Sequence, residues 1–511
     1  MADTKREIER KYEATDETRL PDLTKVPGVS SVRDEGVAEL DAVYYDTADL
    51  RLAADSLTLR RRTGGADAGW HLKLPVSPGV RDEIGAPLTD GPPPGLIALT
   101  RSRTRAEPIL PVVRLHSVRD VRHLLDAGGE PLAEVSVDTV TAQRVGVTAD
   151  GATTRWTEVE VELSDGGDPA FLDAVDKRLR KAGLRAATSE SKLARALEDT
   201  APSWKKPRRA EPGASTAGTA GDHVLAYLRE QYAALVAYDP AVRRDLPDSV
   251  HQMRVATRRL RSTLRTYRKV LDRAATDPVA EELKWLAREL GADRDQEVLD
   301  DRLHTRVDDV PETLLLGPVR GRLRIWSVTG RQNVRAQTLA ALDSPRYLDL
   351  LTTLDALLTD PPLRGAASKP AAEVLPKALL KDYGRLAHRM ETALTLPHGQ
   401  ERDRALHNAR KAAKRTRYAA DAARPALGKP AKRFSKRMKA VQSVLGTHQD
   451  GVVMRETLRT LAARAHAAGE TAFTWGLLHG REEAAADAGE QEIAHLWKRA
   501  TAGKLRTDLG G

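Results

Sequence analysis

Up to about residue 200, apolar and polar residues alternate in short runs broken by Gly, Pro and Asp; beyond about residue 220 the apolar positions recur every three or four residues. Alternation puts successive side chains on opposite faces of a strand, whereas the wider spacing draws a single stripe along a helix. The first pattern predicts strands over 6–12, 40–46, 56–63, 69–75, 81–88, 110–119, 131–138 and 154–163, then a helix from Pro169 to Ala182. The second predicts helices over 222–238, 248–273, 278–290, 294–306, 312–340, 345–358, 372–394, 401–422, 431–445, 449–467 and 470–499. Between Ala201 and Gly221 a stretch rich in Pro, Gly, Ala, Ser and Thr has no hydrophobic period and reads as a linker. The 511 residues exceed what one core supports. The expected organisation is a strand-rich domain over 1–200, a linker over 201–221 and a helical domain over 222–505.

The polar faces of the strands are unusual. Glu7, Glu9 and Lys11 share one face of the first strand, and Glu158, Glu160 and Glu162 share one face of the last, opposite Val159, Val161 and Leu163. The apolar face wants helix cover, so the acidic face must look into something other than a hydrophobic core, and a barrel with a charged interior fits. Arg60 and Arg62 share a face, as do His71 and Lys73, and Arg81 and Glu83; Glu134 and Asp138 alternate with valines. Buried charges need partners: one another, water, metal ions or a polyanion. Carboxylates without thiols or paired histidines suit Mg²⁺ or Mn²⁺ rather than Zn²⁺. Arginine and lysine suit phosphate oxygens. Metal on acids with phosphate on bases is the equipment of phosphoryl transfer. The absence of cysteine excludes disulfides, thiolate metal sites and thiol nucleophiles.

Charge divides the chain as sharply as periodicity does. Residues 1–200 hold 28 Lys and Arg against 35 Asp and Glu, a balance of −7; the chain total of +9 therefore leaves +16 for residues 201–511. A basic half favours polyanions, and nucleic acid, acidic membrane and polyphosphate all qualify on charge alone. No apolar run approaches the roughly 20 residues of a membrane span, and the charged start lacks a signal-like segment, so a cytoplasmic address and no membrane partner are expected. The basic half also repeats itself. His251 and Arg254 recur 156 positions later as His407 and Arg410, Arg258 falls on Lys414, Arg261 on Arg417, and Arg268 on Arg424. Leu290-Gly291-Ala292-Asp293-Arg294-Asp295 returns as Leu445-Gly446-Thr447-His448-Gln449-Asp450 at an offset of 155. Duplication into two similar helical bundles is expected, each carrying a cationic stripe along one helix face.

In this order, Glu7-x-Glu9-x-Lys11, Tyr45-Asp46-Thr47, Leu59-Arg60-x-Arg62, Leu72-Lys73, Arg81-x-Glu83, Glu134-x-x-x-Asp138, Glu158-x-Glu160-x-Glu162 and Ser191-Lys192 resemble the CYTH superfamily of triphosphate tunnel metalloenzymes, over roughly residues 4–198. The resemblance implies an α+β domain built on an eight-stranded antiparallel tunnel with flanking helices, a divalent ion (Mg²⁺ or Mn²⁺), and hydrolysis of a triphosphate. Carried to matching positions, it implies that Glu7, Glu9, Glu158, Glu160 and Glu162 hold metal and that Lys11, Arg60, Arg62, Lys73, Arg119 and Lys192 hold phosphate. Glu7, Glu9, Lys11 and Lys192 would stand closest to the chemistry, with the general base left open. His251 and its arginine run, Gly291-x-x-Arg294-Asp295, His407 and its Lys/Arg run, and Gly446-x-x-Gln449-Asp450 resemble the CHAD domain over about 222–500. That resemblance implies an all-α domain of two duplicated four-helix bundles binding inorganic polyphosphate through His251, Arg254, Arg258, Arg261, His407, Arg410, Lys414 and Arg417.

The expected function is divalent-metal-dependent hydrolysis of inorganic triphosphate, joined to polyphosphate binding, with association with polyphosphate-rich granules left open. Two other classes stay open: a non-catalytic polyphosphate scaffold, and a nucleotide enzyme such as an adenylate cyclase or thiamine triphosphatase. A nucleoside needs a stacking pocket, and aromatics are 4% of the chain. In the first half Tyr44, Tyr45, Trp70 and Trp156 are the few candidates, which favours a bare phosphate chain. Nucleic-acid binding is not favoured, because no base-reading motif is visible.

Overall fold

The computed structural model describes residues 3–65, 67–146, 151–200 and 218–501, with the backbone alone at 3, 292–294 and 487–488. The chain divides into two compact units, Met1–Arg209 and Ala210–Gly511. Residues 201–217 of the expected linker lie outside the described residues.

The first unit contains β1 (Asp3–Ala14), β2 (Ser31–Asp46), α1 (Arg51–Ala54), β3 (Thr58–Thr63), β4 (Gly69–Ser77), β5 (Val80–Ala86), α2 (Pro94–Thr104), β6 (Leu110–Leu125), β7 (Pro131–Arg144), β8 (Thr153–Leu163), α3 (Ala170–Lys181), β9 (Arg185–Ala186) and α4 (Lys192–Thr200). Eight strands pair antiparallel in the order β5-β4-β3-β2-β6-β7-β8-β1, and β1 returns to β5 with Glu7 opposite Arg81, closing a barrel. Each predicted strand corresponds to one of these eight, although 56–63 begins two residues before β3 and 81–88 runs two residues past β5; β2 and β6 are longer than expected at the ends nearest Ser31 and Leu125.

Hydrophobic burial is turned outward. Val159, Val161 and Leu163 pack under Leu172, Val175 and Leu179 of α3, while Leu59, Trp70, Leu72 and Ile84 pack under Leu96 and Leu99 of α2. The inward face changes character along the barrel. At one end it is charged. At the other it consists of Ala42, Tyr44, Val113, Leu115, Val140, Ala142 and Trp156, which close around Leu193, Ala196 and Leu197 of α4. That helix, missed from the sequence pattern, plugs one end of the lumen.

The second unit is all helical: α5 (Ala220–Arg243), α6 (Ser249–Thr266), α7 (Arg273–Asp308), α8 (Val319–Asp343), α9 (Pro345–Thr359), α10 (Ala371–Thr395), α11 (Gln400–Leu427), α12 (Lys429–Ala467) and α13 (Phe473–Ala500). Thr219 and Asp222 form a capping box that starts α5. The sequence repeat appears in the helix bounds, since α7 and α12 begin 156 residues apart. Three hydrophobic clusters hold the unit. One joins α5, α6 and α9 with the first half of α7. A second joins α10 and α11 with the first half of α12 and the end of α13. The third unites the far halves of α7 and α12 with α8 and the start of α13.

Four helix expectations need correction. The predicted pairs 278–290/294–306 and 431–445/449–467 are the single helices α7 and α12. Gly291 and Gly446, read as breaks, sit inside them as places of close approach: a Cβ at Gly291 would lie 3.2 Å from Arg254 Nη2, and one at Gly446 would lie 3.6 Å from Arg410 Nε. The predicted 248–273 helix stops at Thr266, so Arg268 lies beyond the end of α6 and outside its stripe. The predicted 312–340 helix starts at Val319, after Gly317 turns the chain at φ +83°. Among the described residues no helix is long and apolar enough to cross a membrane.

Candidate functional site

The closed barrel converts strand parity into a cavity of about 710 Å³. From β1 it receives Glu7, Glu9 and Lys11; from β3, Arg60 and Arg62; from β4, His71 and Lys73; from β5, Arg81 and Glu83. Arg119 comes from β6, Glu134 from β7, Glu160 and Glu162 from β8, and Lys192 from the first residue of α4. Of the charged strand residues singled out from the sequence, Glu158 and Asp138 do not line it.

The charges interlock. Lys73 Nζ donates to Glu7 Oε2 at 2.6 Å and lies 2.9 Å from Glu83 Oε2. Lys11 pairs with Glu160 and lies 3.0 Å from Glu9. Arg119 donates to both oxygens of Asp138 at 2.8 Å and to Glu160 at 2.9 Å. Lys192 Nζ stands 2.7 Å from both Glu158 and Glu160 and 2.9 Å from Asp138. Glu158 also accepts from the Trp156 indole at 2.7 Å. It therefore sits behind Lys192, at the border between the charged and apolar lumen, and Asp138, fully buried, sits with it.

This crowding moves proton affinities. Burial pushes the Glu7 carboxyl up to about 7, with Glu83 and Glu162 adding to it against the pull of Lys73. Burial opposes ionisation of Glu160 too, but Lys11, Lys192 and Arg119 hold its pKa well below the ordinary value. Burial works against the charge of Lys192, yet Asp138, Glu158 and Glu160 raise its pKa. Burial and neighbouring Arg60 bring Arg62 down to about 10. Asp67, which sequence reasoning missed, pairs with Arg62 and lies 3.7 Å from His71; one aspartate in a glycine-rich turn carries no recognisable signal.

The acidic wall offers the donor chemistry of a divalent ion. Glu9 stands directly opposite Glu162 across the β1–β8 pair, and facing like charges are destabilising. Glu7, Glu9, Glu160 and Glu162 offer oxygen alone from two neighbouring strands, which is the donor set of a hard cation. Glu158, Asp138 and Glu160 hold carboxylate oxygens within 4.8 Å of one another, close enough to share an ion, but Lys192 fills that cluster. Of the four aromatic residues considered for stacking, Tyr44 alone lines the cavity. Its hydroxyl bonds Arg60. Tyr45 packs against Trp70 outside the lumen, with ring centroids 4.9 Å apart, and Trp156 is in the plug.

In the helical unit α11 packs against α6, and their stripes meet. Burial, then Arg410, Arg258 and Arg254, bring the Lys414 ammonium down to about 7. Burial and the cations Arg258, Arg389 and Arg261 likewise lower Lys411, a residue adjacent to the predicted stripe. Arg254 is paired with Asp295 at 2.8 Å. Arg258, Arg410, Lys411 and Lys414 have no carboxylate within 4.0 Å among the described residues. Arg261 and Arg417 have acids no closer than 4.0 Å, at Glu281 and Asp421. Gln449 bonds His407, whose pKa burial and Lys411 lower. His251 is half-buried on α6. The side chain of Arg294 lies outside the described residues.

Residues 5–197 match the CYTH domain family and residues 226–459 the CHAD domain family. Two Mycobacterium tuberculosis proteins, Uncharacterized protein MT2285 and Uncharacterized protein Rv2226, are each 39% identical over 500 residues, covering 95% of this chain and 94% of theirs. Among solved structures, the CHAD domain of the plant Ricinus communis is 26% identical over 58% of this chain and 96% of its own, with a TM-score of 0.45. A putative adenylyl cyclase from Hippeastrum with a dominant triphosphatase activity is 19% identical over 38% of this chain and 96% of its own, with a TM-score of 0.24.

Proposed function

The chain belongs to the family in which a CYTH domain is followed by a CHAD domain, and from that premise we propose that the tunnel hydrolyses inorganic triphosphate while the helical unit binds inorganic polyphosphate. The observation that carries the first half is the convergence of Glu7, Glu9, Lys11, Arg60, Arg62, Lys73, Arg119, Glu160, Glu162 and Lys192 on one cavity. Glu7, Glu9, Glu160 and Glu162 would hold Mg²⁺ or Mn²⁺, which supplies Lewis-acid neutralisation of phosphate oxygens. Arg60, Arg62, Lys73 and Arg119 bind and align the phosphates, taking the place of internal carboxylate partners with charge-assisted bonds. Lys192 and Lys11 hold the innermost oxygens, and Glu158 with Asp138 keeps Lys192 charged and fixed. A bare phosphate chain suits a lumen whose aromatic lining is confined to Tyr44, already bonded to Arg60.

The second half rests on Arg258, Arg410, Lys411 and Lys414, cations gathered where α6 meets α11 with no carboxylate within 4.0 Å of them among the described residues. Gathering like charges is costly, and a flexible phosphate chain relieves that cost.

Phosphate release from triphosphate, measured with Mg²⁺ and with Mn²⁺, tests the tunnel. Glu9→Gln should lower kcat by about 10²–10³, the usual loss when one transition-state charge contact is removed. No release with either metal, together with retained polyphosphate binding, would leave the scaffold reading standing instead.

A further inference from the structure

A second basic site lies away from the α6–α11 stripe. Where the chain leaves α6 and where α10 begins, a cavity of about 200 Å³ opens, bounded by residues 266–270 on one side and 366–381 on the other. Its rim holds five cations: Arg268, Lys269, Lys369, Lys377 and Lys381. One acid stands among them, Glu373, 3.4 Å from Lys377. Arg268, Lys269, Lys369 and Lys381 have no carboxylate within 4.0 Å among the described residues. Lys377 and Lys381 are also one helical turn apart on α10, a like-charge spacing that weakens a helix.

The floor is different in kind. Tyr267 and Val270 are fully buried beneath it, and Val374 and Ala378 are half-buried beside them. The Tyr267 hydroxyl is spent on the Ala419 carbonyl at 2.7 Å, and the Thr266 hydroxyl on Asp382 at 2.6 Å. The accessible floor is therefore the carbon of Val374 and Ala378, and the polar atoms of Tyr267 and Thr266 behind it are already satisfied. A bare phosphate chain gains nothing from such a surface. A single carboxylate or a fatty acid would use one or two of the five cations.

We propose that this cavity binds a nucleoside polyphosphate, with the flat, weakly polar base on the Val374–Ala378 floor and the phosphates along the Lys377–Lys381 and Arg268–Lys269 rim. The volume suits a ring system rather than a whole nucleotide, so the phosphates lie outside it, where the cations are. The site is separate from the tunnel and does not depend on how the tunnel is read.

The test uses the full chain and a photoreactive azido analogue of ATP, with labelled peptides mapped by mass spectrometry. Label should enter segments 266–270 and 369–381. Ala378→Trp, which fills the floor, should cut that label at least tenfold, and Lys377→Glu with Lys381→Glu, both exposed, should do the same without disturbing packing. Unlabelled ATP should displace the analogue at lower concentration than inorganic triphosphate does. Label confined to tunnel peptides overturns the proposal. So does equal displacement by triphosphate and ATP, since that outcome reduces the cavity to a further stop for a phosphate chain. Circular dichroism of both variants separates lost binding from lost fold.

Discussion

At the scale of single residues, Lys192 and Lys414 show opposite answers to burial. Lys192 is surrounded by Asp138, Glu158 and Glu160, so its charge is secured; Lys414 is surrounded by arginines, so its charge is precarious. Replacing Lys192 with Met removes the innermost cation and leaves three carboxylates facing one another, and phosphate release should fall by about 10² or more. Stopped assays at saturating triphosphate would check it. The Lys414 prediction concerns protons. Its pKa is near 7 in the folded chain and ordinary in the unfolded one, so above about pH 7 the folded state holds less of that proton than the unfolded state. Stability due to this group therefore rises with pH across that window. A phosphate chain reverses the shift, so binding at pH 8 should take up about one proton per site, read by calorimetry in buffers of different ionisation enthalpy. Lys414→Met should abolish the uptake and lower the salt slope of binding by about one.

Elements decide how much of this was readable in advance. Parity along β1, β3, β4 and β8 made the charged lumen legible, because a strand has two faces and the apolar one was visibly claimed by Val159, Val161 and Leu163. Parity could not reveal that the same inward face turns apolar at Val140, Ala142 and Trp156. Nor could it show that Glu158, in phase with Glu160 and Glu162, ends up behind Lys192. Both follow from α4, whose Leu193, Ala196 and Leu197 have helical spacing but occupy too short a run to stand out. Leu197→Ala should cost about 2–5 kcal/mol, measured by denaturant unfolding of the barrel. The glycine landmarks misled for a related reason: a glycine that admits a neighbouring guanidinium looks, in sequence, like one that ends a helix. Gly446→Ala meets Arg410 at ordinary contact distance and should stabilise the helical unit by about 0.5–1 kcal/mol. Gly291→Ala, pressing on Arg254 at 3.2 Å, should gain less.

Over the whole molecule, opposite charge goes with opposite use of charge. Residues 1–200, at −7, fold their cations inward against carboxylates; residues 201–511, at +16, leave several without any. Added salt should therefore strip the chain from immobilised polyphosphate while affecting triphosphate turnover far less, since partly buried pairs are weakly screened. Glu9→Gln should silence turnover and keep retention on polyphosphate within about twofold, as independent sites that share no partners behave additively. The α4 plug adds a further rule. A corridor with a wall at its far end admits a guest by one tip only and returns the fragments through the door they entered. A long phosphate thread cannot be drawn through such a corridor link by link, so under the proposed activity every cleavage would be followed by release and a fresh arrival.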